Sequence, residues 1–420
     1  MKNCLVRIFL VALFFVSICA NAQVADSIHY NYGIWQTFGS PISRQSYPEI
    51  KGRLCNFRWA DLETAPNVWN WSDFDYQLSI RAQDTTPIIF MVYTKEDAPD
   101  WLFTNGVPKV MEYDANGQIS GYSPYYADPD YKTYFKRMIT TVRQHLETLP
   151  ANVRMQIVAV QACFGSTGDY ISYKGSVPTK YYLSDGQFNS LFQEFSLYYY
   201  NEYKNFNPKI YLLSNPSNSG AAQMNWLIDS CPGGWIKTGS LGKGYQLNDE
   251  ADKASWLFNI LNNPQNGEYV RARCEITGES LYTGWWNTFS YRNMYALMCY
   301  DIHWGLDWSN QANQYIFDHN YDSAFNFYNR YAGQKVPQNS NYAMCALKDV
   351  IDASDTSRFP PSVYGPVTRT ATRFKNVLSG FIPFGARLDD TANAILSEND
   401  NLNATGINDV GWNLFPGNYE

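Results

Sequence analysis

Short apolar runs alternate with helix-patterned segments from Tyr32 to Tyr331, and this alternation constrains the fold more than any other feature of the sequence. The runs are Tyr32 to Phe38, Gly52 to Trp59, Pro87 to Tyr93, Ile157 to Val160, Lys209 to Leu213, Trp235 to Thr238, Tyr269 to Glu275 and His303 to Trp308. The fourth is apolar throughout, as expected of a parallel strand covered on both faces. Helices are expected at Asp73 to Ala82, Asp130 to Leu149, Gln187 to Tyr203, Ala254 to Leu261, Ser290 to Ile302 and Ser323 to Tyr331. In the second of these, Tyr134, Met138, Val142 and Leu146 recur every fourth residue. Strands alternating with helices imply an α/β fold with a parallel sheet. Eight of them favour a closed (β/α)8 (TIM) barrel over an open doubly wound sheet. No Gly-x-Gly-x-x-Gly follows the first strand, which counts against dinucleotide binding.

The barrel is expected over residues 27–355. Ahead of it, Lys2 and Arg7, the apolar Ile8 to Ile18 and the small-residue Ala20-Asn21-Ala22 form a signal peptide over residues 1–22. That apolar run is too short to span a bilayer. The expected product is a secreted or periplasmic monomer with no membrane span. Residues 356–366 read as a linker. Residues 367–420 read as a β-rich extension, too small to be an independent domain, and either packed on the barrel or the start of an incomplete β-sandwich. Phe103 to Asp128 reads as a long loop.

A net charge of -7 argues against nucleic acid as a partner. The chain carries 13 Trp, 33 Tyr and 24 Phe, flat apolar faces with polar rims that suit sugar rings, although most aromatic residues pack in cores. Cys55, Cys163, Cys231, Cys274, Cys299 and Cys345 are widely spaced and include no Cys-x-x-Cys, which excludes a zinc ribbon and favours buried thiols. His29, His145, His303 and His319 lack His-Glu-x-x-His spacing, so neither a catalytic metal nor another cofactor is expected. No Gly-x-Ser-x-Gly supports a serine esterase.

In a barrel, chemistry gathers at the C-terminal ends of the strands. Polar and aromatic clusters follow several of them: Arg58-Trp59 with Asp61 and Glu63, Lys95-Glu96-Asp97 with Trp101, Gly168-Asp169-Tyr170, Asn215, Glu275 to Glu279, and His303-Trp304. Carboxyl groups after strands four and seven suit glycosidic bond cleavage, in which one acid protonates the leaving oxygen and the other attacks the anomeric carbon or activates water. The acid needs a raised pKa, for which Tyr170 and Phe164 offer an apolar wall. A plainer reading makes Gly165 to Tyr170 a turn in which Asp169 caps the next segment.

The stretch RWADLETAPNVWNWSDFDYQL resembles the second-strand region of the retaining (β/α)8 glycosidases. Ala98-Pro99-Asp100-Trp101-Leu102 is similar to the segment that follows their third strand. The resemblance covers roughly residues 30 to 310 and is nearest to family-42-like β-galactosidases and related secreted barrels. It implies an acid/base after strand four and a nucleophile after strand seven, hence Asp169 and Glu275, with Glu279 if the strand ends later. It also implies that Glu63 holds a loop rather than reacts. The sequence departs from the pattern at Asp169, where the clan usually carries Glu.

The resulting expectation is a glycoside hydrolase acting on a poly- or oligosaccharide with retention. Arg58, Trp59, Trp101, Tyr170, Asn215, Trp285, Trp286, His303 and Trp304 are the candidate substrate-binding residues. A non-catalytic glycan-binding barrel is the first rival, favoured by the shorter Asp169. A polysaccharide lyase using Arg58, Arg273 and His303 is the second.

Overall fold

The computed structural model describes residues 31–37, 39–40, 42–165, 171–215, 221–233, 235–237, 260–261, 264, 269–275, 294, 298, 301–302, 305–333, 386–389 and 394–397. Eight parallel strands close into a barrel. They are β1 (Gly33–Gln36), β2 (Ile50–Arg58), β3 (Ile88–Tyr93), β4 (Ile157–Gln161), β5 (Tyr211–Ser214), β6 (Trp235–Lys237), β7 (Ala272–Glu275) and β8 (Trp308–Gln311). Each strand pairs with its sequence neighbours, and β8 closes on β1 from Gly33 opposite Trp308 to Gln36 opposite Gln311. Because every pair is parallel, all the strands end on one rim.

Alternation divides each strand between two cores. Trp35, Leu54, Ile89, Val158, Tyr211, Leu213 and Trp308 form an apolar cluster drawn from strands alone, and it fills the lumen. Trp35 and Trp308 meet edge-on there, with ring centroids 5.9 Å apart. The intervening residues, among them Cys55, Phe57, Phe90, Val92, Val160, Leu212 and Cys274, join the helices in an outer core. The described cysteines, Cys55, Cys163, Cys231 and Cys274, are buried thiols outside any disulfide.

The principal helices are α1 (Ser72–Gln83), α2 (Pro129–Thr148), α3 (Asp185–Tyr203), α4 (Ala221–Ser230) and α5 (Asp322–Tyr331). α2 starts where Asp128 accepts the N–H groups of Asp130 and Tyr131 and Pro129 takes the first turn. Its buried face is Tyr131, Phe135, Met138, Ile139, Val142 and Leu146, one step around from the expected stripe at Tyr134. α3 opens with a reciprocal cap between Ser184 and Gln187. α4 is an addition to the expected helices; its buried side is Met224, Leu227 and Ile228.

Two expectations are corrected. The eighth strand is Trp308–Gln311, not His303 to Trp308. Gly305, at φ +73°, and Leu306 donate back to the carbonyls of Ile302 and Asp301, so this part of the run closes a helix. The strand itself is largely polar yet wholly buried, which hides it from an apolar pattern. Nor is Phe103 to Asp128 a plain loop. It contains an antiparallel hairpin, Lys109–Tyr113 against Ile119–Pro124. Asp114 Oδ1 accepts from the N–H groups of Asn116 and Gln118 to make its turn.

In the C-terminal extension, Ala386–Asp389 and Ala394–Ser397 form an antiparallel pair. The expected signal segment, the linker and the helix at Ala254 to Leu261, apart from Ile260 and Leu261, lie outside the described residues. No helix among the described residues is long and apolar enough to cross a membrane.

Candidate active site

The rim is best defined from β2 round to β4. Arg58 ends β2 and is exposed. Its Nε donates to Asp97 Oδ1 at 2.5 Å, and its Nη1 lies 3.5 Å from Asp61 Oδ1. The hydrogen bond to Asp97 holds its pKa above the usual arginine value. Arg58, one of the cations offered for the lyase reading beside Arg273 and His303, is therefore already engaged by rim carboxylates.

Trp59, next in the chain, has no exposed surface. Its ring packs among Trp101, Tyr131 and Phe135, so it is core rather than a stacking platform. Its Nε1–H donates to Glu63 Oε2 at 2.9 Å. Glu63 is likewise fully buried. Its Oε1 accepts from the Asn67 N–H at 2.8 Å and from the Arg137 guanidinium. The carboxylate thus ties the small Glu63–Trp69 hairpin to the strand end and to α2, the loop-holding role the resemblance implies.

Trp101 is partly buried and donates from Nε1 to the Glu63 carbonyl at 2.9 Å. One edge meets Tyr134, and the Arg137 guanidinium lies 5.4 Å from its ring centre. Both ring partners are structural, and the ring packs against the outer core.

Under the rim the lumen turns polar. Asn56 donates to the Tyr93 hydroxyl at 3.3 Å. Gln161 and Asn310 sit one step beyond the apolar layer on β4 and β8, both wholly buried. Asn215 follows β5 and is buried. Arg273 is buried on β7, turned towards the lumen by its neighbours Ala272 and Cys274, which face the outer core. Glu275 is the last residue of β7, with its Cα paired to Asn310.

Phe164, expected as part of an apolar wall, packs instead against Phe188, Phe192 and Phe195 of α3. Gly165 then turns the chain at φ +73°. Asp169, Tyr170, Glu279, Trp285, Trp286, His303 and Trp304 lie outside the described residues.

Sequence reasoning missed three contributors: Lys95 as a buried cation, Glu112 as its partner at 3.0 Å, and Arg137 as the partner of Glu63. A signal for Glu112 exists, because Asn116-Gly117 between alternating runs marks a hairpin. Among the described residues, no group of three or more His, Cys, Asp or Glu is arranged to hold a metal ion.

No family model matches the chain, and no curated protein matches it. Solved structures do. A β-galactosidase from the psychrophilic Marinomonas ef1 is 12% identical with a TM-score of 0.43, over 66% of this chain and 53% of that one. The catalytic domain of a β-amylase from Paenibacillus polymyxa is 10% identical with a TM-score of 0.47, over 72% and 98%. A cold-adapted β-galactosidase from Rahnella sp. R3 is 10% identical with a TM-score of 0.48, over 73% and 58%. The chain spans about half the length of the Marinomonas enzyme. The α/β barrel itself rests on the strand pairing of this chain.

Proposed function

We propose that this chain is an exported glycoside hydrolase that cleaves a poly- or oligosaccharide with two carboxyl groups, Asp169 as acid/base and Glu275 as nucleophile. One observation carries the reading. β7 ends at Glu275, the chain that carries Asp169 leaves the end of β4, and all the parallel strands end on the same rim. Acid groups supplied from those two strand ends are what double displacement at an anomeric carbon requires. Asp169 would protonate the departing oxygen while Glu275 bonds to the anomeric carbon. Asp169 would then take a proton from the water that releases the sugar. Retention needs the two carboxyl groups about 5–5.5 Å apart. The amides under the rim suit hydroxyl groups of a neutral sugar.

The test is hydrolysis of a polysaccharide panel by wild type, Asp169→Asn and Glu275→Gln. Each variant is expected to lose at least about a hundredfold in turnover. Equal activity in all three would reject the site. Sugar binding without release of reducing ends by the wild type would support the glycan-binding reading instead.

A further inference from the structure

We propose that the buried Lys95–Glu112 ion pair is a positioning device for the chain beyond β4, fixing the downstream end of the segment that carries Asp169; the proposal rests on the reading of Asp169 as acid/base. Glu112 lies in the Lys109–Pro124 hairpin and is fully buried, and the Lys95 side chain is 5% exposed. Lys95 Nζ lies 3.0 Å from Glu112 Oε2 and 3.2 Å from Glu96 Oε2. The carboxylate takes two further donors. Ser123 Oγ donates to Oε1 at 2.5 Å, and the Lys174 backbone N–H donates to Oε2 at 3.0 Å. One carboxylate therefore joins the end of β3, the hairpin and the chain beyond residue 170.

The same seam continues through the backbone. Tyr113 and Ser176 exchange N–H to carbonyl bonds, both at 2.9 Å. Gly175, next to Ser176, leaves no room for a side chain, since a Cβ there would stand 2.5 Å from the Tyr113 carbonyl oxygen. At the upstream end, a Cβ on Gly165 would stand 3.1 Å from the Ile171 carbonyl oxygen. The chain thus departs at Gly165 and returns beside it at Ile171. The returning segment is stitched to the hairpin within the next few residues.

A buried ion pair is weak evidence for stability, because apolar residues of the same volume often serve as well. What apolar residues cannot do is accept hydrogen bonds from three separate segments at once. The pair's distinctive contribution is geometric, and geometry is what a proton donor at a scissile bond needs: a displacement of about 1 Å can cost a hundredfold in rate.

The experiment uses the full chain as wild type, Glu112→Gln, Gly175→Ala and Asp169→Asn. Glu112→Gln keeps the shape but removes the charge: its NH2 either faces both the Lys95 ammonium and the Lys174 N–H, which share Oε2, or turns to Ser123 Oγ and leaves Lys95 only a neutral acceptor. Gly175→Ala breaks the seam without touching the ion pair. Hydrogen exchange read by mass spectrometry should accelerate at least about tenfold over residues 171–176 in both variants, with β4 unchanged. Turnover is measured on phenyl and 2,4-dinitrophenyl β-glycosides of galactose, glucose, xylose and mannose, since only the phenyl leaving group needs acid assistance. Glu112→Gln should lose at least about tenfold more on the phenyl than on the dinitrophenyl compound, following Asp169→Asn. An equal loss on both compounds would mark a merely structural residue and overturn the proposal. Unchanged exchange at 171–176 in both variants would overturn it as well. If Asp169→Asn shows no leaving-group dependence, the acid/base reading fails by itself; in that case, or where none of the aryl glycosides is a substrate, exchange at 171–176 alone decides the anchoring.

Discussion

The Trp59 indole N–H donates to the Glu63 carboxylate at 2.9 Å in a place where neither residue touches solvent. The same carboxylate holds the Asn67 N–H and the Arg137 guanidinium, so three donors from β2's end, the small hairpin and α2 converge on one buried charge. Removing the carboxylate strands the Trp59 indole N–H in the core, releases the Asn67 N–H at an exposed turn and takes the counter-charge from a partly buried cation. Glu63→Ala should therefore cost about 3 kcal/mol, the range for breaking a buried pair. Arg137→Ala should cost less, about 1–2 kcal/mol, because the arginine is partly exposed and its ring contacts with Trp101 and Tyr134 are individually weak. Urea unfolding of both variants checks the order. A loss under about 1 kcal/mol for Glu63→Ala would show that the hairpin holds without its carboxylate.

Gly52 lies under the indole of Trp35 in the lumen, where an added Cβ would come within 2.3 Å of the ring. The ring has nowhere to go, because Trp308 blocks it edge-on. Gly52→Ala should destabilise by about 1–3 kcal/mol through overpacking, although alanine is the better strand residue on entropy alone. Thermal unfolding decides between the two effects, and a raised Tm would mean that the lumen yields.

Asp128 caps α2 through two backbone N–H groups at 3.0 Å each. Asp128→Ala should cost about 1 kcal/mol, and Asp128→Asn should recover most of it, since asparagine caps nearly as well. Equal stability of the alanine variant in chemical denaturation would show that Pro129 alone sets the helix start.

The fold is legible in the sequence because its signal is repeated. β3 and β4 are so apolar that their residues announce burial on both faces, and α2 carries a strong helical stripe. β8 is misplaced by an apolar pattern because Ser309, Asn310 and Gln311 are polar and yet wholly buried. Gln311 donates to Ser309, which donates to Asp301. Such a strand reads as a loop until its partners are known. At the site, the strand-end positions of Arg58, Asn215 and Glu275 are legible in the sequence. The roles of Trp59 and Glu112 are not, because an indole at a strand end points inward or outward according to residues far away in sequence. Phe135, which helps enclose Trp59, is 76 positions further on, counting from 59 to 135.

Asp301 is buried between β7, β8 and the helix that precedes β8, and its pKa is pushed up to about 7. Burial is the main cause. The Cys274 thiol at 3.0 Å and the Ser309 hydroxyl at 3.1 Å oppose it by donating to Oδ2. Oδ1 has no hydrogen-bond partner among the described residues. A carboxyl raised in the folded state binds its proton more tightly there than in the unfolded chain. Its contribution to stability is therefore fullest below the unfolded value near 3.8, falls as pH rises, and is lost by about pH 7. The swing is on the order of 4 kcal/mol at most. Asp301→Asn resembles the protonated acid: its oxygen can accept from Cys274 and Ser309, and its NH2 takes the unpartnered side. The variant should lack this loss, so the difference in unfolding free energy, variant minus wild type, should grow in the variant's favour from about pH 5 to about pH 8. Denaturant titrations at both values measure it, and a difference independent of pH would show that Asp301 keeps its charge in the folded protein.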